Sequence, residues 1–116
     1  MMGSYILFRL TYSHSGALFQ RYTTNVITGF IVRELTRVAG IFPVQEFVVR
    51  NDCPCGSTIG PVLSSRTGIR TVDAGMPQLS MHSCREVMGT VDLSNGFDLF
   101  CAFFKYFRAI DDKLEG

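Results

Sequence analysis

Across residues 22–39 the apolar side chains Ile27, Phe30, Ile31, Leu35 and Val38 recur at the spacing of an α-helix. A helix patterned this way has one apolar face and must bury it against another element. Thr23, Thr24 or Asn25 can cap its start, because each offers a side-chain oxygen to the free N–H groups of the first turn. Gly40 sits where a left-handed C-terminal residue is wanted. Pro43 then breaks the chain, and residues 46–50 (EFVVR) read as a buried strand.

The remaining segments alternate in the same way. Residues 51–56 (NDCPCG) form a turn-rich loop, and 57–65 a short helix with Thr58 and Pro61 near its start. Gly68 closes that helix, and residues 69–73 read as a second short strand. An extended stretch through Gly75 and Pro77 ends at His82. Ser83 and Glu86 have capping-box spacing, which predicts a helix beginning immediately after His82. That helix continues past Asp92 and Gly96 and carries Phe97, Phe100, Cys101, Phe104 and Phe107, an apolar stripe expected to face the core. Residues 4–12 are a further, weaker strand candidate. Helix and strand in alternation predict an α/β layer. Two clear strands make a poor sheet, so the chain is expected to complete a larger one.

Composition narrows the function. The chain has 116 residues, the size of one ordinary domain, and 47% are hydrophobic, including ten Phe. Only 18% are charged and the formal net charge is +1, so the basic stripe required for nucleic-acid backbones is missing. Sparse charge with many aromatics predicts apolar surface covered by another segment or subunit. No run approaches the length of a membrane span, and the YILFRL run is no signal peptide. Cys53 and Cys55 are too close for a CxxC site, and His14 and His82 are the only histidines, so reduced thiols in a cytosolic protein are expected.

His82 is the residue with most chemical promise. Directly before a helix N-terminus, an imidazolium is disfavoured and a ring nitrogen stays free for a metal. A lone histidine is more often a hydrogen-bonded core residue, so its context decides. The loop 55–61 (CGSTIGP) offers backbone N–H groups to a carboxylate or peptide carbonyl, or is simply a tight strand-to-helix turn. Asn51 and Asp52 end a strand at the edge where α/β proteins place ligands, and serve equally well as turn formers.

QRYTTN at 20–25, VVRNDCPCGSTIGP at 48–61 and MPQLSMHSCRE at 76–86 together resemble the aspartyl aminopeptidases in order and spacing. The resemblance runs from Gln20 to the C-terminus, and three separated motifs argue against coincidence. It implies the C-terminal part of a zinc-exopeptidase-type mixed sheet flanked by helices, with 20–116 inside the catalytic domain and 1–19 divergent. It further implies two zinc ions bridged by an Asp, a Glu base, and peptide substrates with an acidic N-terminal residue. Homo-oligomeric assembly and a cytoplasmic or, alternatively, vacuolar location follow from the same resemblance. The family's last metal ligand maps to His82. Tyr22, Gly56, Ser57, Thr58 and Met81 map to positions near the substrate.

The departures from the family pattern weigh equally. Its His-x-Asp pair, bridging Asp, Glu-Glu pair and a later ligand Asp have no counterpart in residues 1–19. Where the family has a substrate-contacting lysine, this chain has Ser15, and its first lysine is Lys105. A truncated gene, a mispredicted start or a spliced remnant would each look like this. A zinc ion in a catalytic site takes about three protein ligands. With His82 matched, and Asp52 or Asp73 the nearest further donors, the chain alone is expected to lack a dinuclear site, catalytic residues and activity. A noncatalytic decoy or assembly subunit is the alternative.

Overall fold

The structure, a computed structural model, describes residues 6–9, 23–47 and 59–115. Eight elements follow in order: β1 (Ile6–Arg9), α1 (Val26–Ala39), β2 (Val44–Phe47), α2 (Ile59–Thr67), β3 (Ala74–Gly75), β4 (Gln78–Leu79), β5 (Val87–Met88) and α3 (Thr90–Glu115). β1 is central to a three-stranded mixed sheet, parallel to β2 and antiparallel to β3. β4 and β5 pair antiparallel as a separate two-stranded sheet. The α/β class and the mixed sheet are as the sequence implied.

Helix α1 is fixed at both ends by its own residues. Of the three candidate caps it is Asn25 that acts: its Oδ1 accepts the Thr28 N–H at 2.9 Å. The Asn25 N–H donates in return to Thr28 Oγ1 at 3.0 Å. Gly40 ends the helix with φ of 64°, which costs glycine nothing and lets its N–H reach back to the Arg37 carbonyl. Arg33 pairs with Glu46 and so ties the exposed side of α1 to β2.

The core lies where α1 meets α3. Ile31, Leu35 and Ile110 are buried together, with Tyr106 and Phe107 packed against them, and Leu35 is only 1% exposed. Phe103 and Phe107 stack with ring centres 4.8 Å apart, which fixes the facing side of α3. Arg70 reaches the buried Asp111 carboxylate and joins the segment before β3 to the last turns of α3. Among the described residues no helix is long and apolar enough to cross a membrane.

Three sequence expectations are corrected. No helix begins after His82: residues 80–85 turn back on themselves, β5 follows, and α3 starts at Thr90. The strand expected over 69–73 is instead the two-residue β3 at 74–75, since Thr71 bonds locally to Ile69 and Asp73 bonds to the distant Thr24. The Phe stripe does not face the core as a whole. Phe107 packs inward, whereas Phe97, Phe100 and Phe104 are exposed, because α3 meets α1 through Tyr106, Phe107 and Ile110.

Leu35→Ala removes the most enclosed side chain and is expected to cost about 2–5 kcal/mol in chemical denaturation. Phe104→Ala, at an exposed position, is expected to change stability by less than about 0.5 kcal/mol.

Candidate functional site

The segment carrying His82 is held at three points before it reaches the histidine. Ala74 and Gly75 pair with β1. Met76 then packs against α3 at Gly96, where a Cβ would lie only 3.3 Å from the Met76 sulfur. Gln78 and Leu79 pair with Met88 and Val87. Residues 80–86 are therefore the tip of a short hairpin, and His82 stands on it.

Two-residue strands hold little by themselves, so the tip depends on its own polar groups. The Ser83 N–H donates to the Ser80 carbonyl at 3.1 Å. The Arg85 N–H donates to Ser83 Oγ at 3.0 Å. The His82 N–H donates to the Glu86 carboxylate. Ser80 and His82 both have positive φ, 53° and 69°, a conformation that costs a side-chain-bearing residue about 1 kcal/mol or more. His82 and Met81 are exposed at this tip, Met81 by 61%. The helix-dipole rationale for His82 thus falls away, since no helix N-terminus lies behind it. What presents the imidazole is a hairpin tip with a left-handed backbone.

A second polar constellation escaped sequence reasoning. The Asp73 carboxylate accepts from the Thr23 N–H at 2.7 Å and from Thr23 Oγ1 at 2.9 Å. The Asp73 N–H donates to Thr24 Oγ1 at 2.8 Å. Gly60, in the first turn of α2, closes over this clamp: a Cβ there would lie 3.2 Å from Asp73 Oδ1. The sequence offered Thr23 and Thr24 as helix caps and Asp73 as a possible metal donor. A contact across fifty residues leaves no local signal.

At the start of α3, Asp92 and Asn95 are buried, and Asp92 Oδ1 and Asn95 Nδ2 have no hydrogen-bond partner among the described residues. Gly89 leaves room for Asp92, whose Oδ2 would lie 2.8 Å from a Cβ at position 89. An open apolar cleft between α1 and α3 is lined by Ile31, Val32, Leu35, Val72, Phe103 and Phe107, with Thr28 and Arg70 at its polar edge. Neither His82 nor Met81 lines it. Tyr22, Asn51, Asp52, Gly56, Ser57 and Thr58 lie outside the described residues.

The described residues do not make a zinc site on their own. Among them no three His, Cys, Asp or Glu side chains come together as a group that could hold a metal ion. The Asp73 carboxylate is committed to the N–H and hydroxyl of Thr23.

Residues 15–104 match the family described as aminopeptidase I zinc metalloprotease, M18. The chain belongs to that family. It is 54% identical over 95 residues to a probable aspartyl aminopeptidase of Ricinus communis, covering 82% of this chain and 19% of that protein. Against aspartyl aminopeptidase 1 of Schizosaccharomyces pombe it is 50% identical over 95 residues, covering 82% and 20%. Among solved M18 structures, Ape4 in complex with Nbr1 superposes with a TM-score of 0.82 at 43% identity, covering 95% of this chain and 20% of that one. The crystal structure of prApe1 gives a TM-score of 0.82 at 38% identity, covering 96% and 22%. The mApe1 dodecamer of Saccharomyces cerevisiae gives 0.70 at 34% identity, covering 96% and 22%. The chain thus spans about a fifth of the length of the curated relatives it matches.

Two outcomes follow from the local geometry. Asp73→Ala removes the acceptor of the Thr23 N–H and hydroxyl and is expected to destabilise the chain by about 2 kcal/mol in urea. Glu86→Ala frees the His82 N–H, so hydrogen exchange at that amide is expected to accelerate while exchange in α1 stays unchanged.

Proposed function

We propose that this chain is the C-terminal part, residues 20–116, of the catalytic domain of a zinc-dependent aspartyl aminopeptidase, which releases N-terminal Asp or Glu from peptides. The observation that carries this reading is the family match over residues 15–104, which takes in all three motifs. In this reading His82 supplies one zinc ligand from the hairpin tip, and Met81 beside it lines the substrate site. Tyr22 and the backbone of Gly56, Ser57 and Thr58 complete the substrate-facing set. An exposed imidazole on a tip braced by Glu86, Ser80 and Ser83 is suited to meeting a metal held mainly by other residues.

The chain by itself is proposed to be inactive. Catalytic zinc takes about three protein ligands, and His82 is one. The remaining donors and the general base have to come from outside the described residues. The cytoplasm is the proposed location, with the vacuole as alternative; the exposed thiols of Cys84 and Cys101 suit a reducing compartment.

A second reading is favoured by the bare apolar side of α3. In it the chain is a noncatalytic decoy or an assembly subunit that joins a full-length paralogue.

Metal analysis after dialysis, combined with an assay on peptides bearing N-terminal Asp or Glu, tests the first reading. Less than one retained zinc per chain and no turnover are expected. Two zinc ions per chain with measurable hydrolysis would overturn the claim of inactivity.

A further inference from the structure

Asp73 joins the three sequence motifs that carry the family. Its Oδ2 accepts the Thr23 N–H at 2.7 Å and the Thr23 hydroxyl at 2.9 Å. Its own N–H donates to Thr24 Oγ1 at 2.8 Å. The other carboxylate oxygen, Oδ1, lies against Gly60, where a Cβ would be 3.2 Å from it and 3.4 Å from Thr23 Oγ1. Thr23 and Thr24 belong to QRYTTN, Gly60 to VVRNDCPCGSTIGP, and Asp73 leads by three residues into MPQLSMHSCRE. Both threonines are buried, with Asp73 and Gly60 half-buried, so the joint is partly shielded from water.

We propose that Asp73 is a positioning residue of the peptidase site, which holds the substrate-facing residues of two segments in register with the His82 tip of a third. The inference rests on the peptidase reading for the roles of Tyr22, Ser57, Thr58 and His82. Each connection is short. The Thr23 N–H belongs to the planar peptide unit that joins it to Tyr22, so its bond to Asp73 anchors the chain one residue from the tyrosine. Gly60 follows Thr58 by two residues and stands in the first turn of α2. From Asp73 the chain runs straight into β3, then through the Met76–Gly96 contact into β4, and so reaches the tip.

The residue types suit the joint. A carboxylate oxygen has lone pairs for two donors, and the second oxygen lies at the first turn of a helix, where negative charge is favoured. Glycine at 60 permits the close approach of α2, since a side chain there would crowd both Asp73 and Thr23. The His82 tip and the substrate-facing segments therefore keep a common frame. A misplacement of about 1 Å between such groups costs about 100-fold in rate.

Catalysis is read in aspartyl aminopeptidase 1 of Schizosaccharomyces pombe with its matching 95-residue segment exchanged for that of this chain. On peptides with an N-terminal Asp or Glu, Asp73→Ala is expected to lower kcat/KM per zinc-loaded molecule about 100-fold. Asp73→Asn, whose amide oxygen can accept both Thr23 bonds, is expected to stay within about threefold of the unsubstituted graft. Gly60→Ala is expected to lower kcat/KM about tenfold even though alanine favours the helix, a loss that a purely structural role would not give. In the 116-residue chain alone, Asp73→Ala is expected to speed hydrogen exchange at the Thr23 amide about tenfold relative to the Leu35 amide. An active graft indifferent to both Asp73→Ala and Gly60→Ala would overturn this inference alone. A folded, zinc-loaded but inactive unsubstituted graft would overturn the peptidase reading and this inference with it. Equal acceleration at Thr23 and Leu35 would overturn it whatever the graft does.

Discussion

Leu35 is where the described structure holds together. It projects from the middle of α1 into α3, with Ile31 and Ile110 beside it, and this contact sets the orientation of the two long helices. The segment before β3 is then referred to α3 through Arg70 and Asp111. The loop before β4 is referred to it through Met76 and Gly96. The hairpin that carries His82 inherits its place from those attachments. Its own two-residue strands could not supply one.

The core is small for the amount of apolar sequence. Five hydrophobic side chains are buried among the described residues, and only Leu35 fully, while α2 buries none and the outer stripe of α3 is open. At roughly 1.5–3 kcal/mol for each large apolar side chain buried, such a core contributes modestly against the entropy of ordering the chain. The orphaned atoms of Asp92 and Asn95 have the same meaning in polar terms, since buried groups of this kind normally find partners. A chain that spans about a fifth of its relatives' length carries surfaces that call for company.

The false helix after His82 shows how a local rule loses. Ser83 and Glu86 have capping-box spacing, yet Ser83 Oγ takes the Arg85 N–H two residues on, and Glu86 takes the His82 N–H. Short polar side chains that satisfy a turn remove the incentive for a helix. Pairing of Val87 with Leu79 then commits the next residues to a strand. At Asn25 the same type of motif did start a helix, because the apolar period behind it matched a face that α3 could bury.

The sequence by itself determined what depends on neighbours in the chain: the extent of α1, a polar cap within residues 23–25 and Gly40 at its end, the long α3, the α/β class and the three motifs that carry the family. These are set within one or two helical turns, so a linear reading reaches them. Only the tertiary structure decided which side of α3 is covered, why Asp73 is held by Thr23 and Thr24, and that His82 rides a hairpin tip. Each of those turns on contacts between residues far apart in sequence, and periodicity cannot say which apolar face finds a partner. Phe97, Phe100, Phe104 and Phe107 share one pattern, and packing against α1 takes only the last.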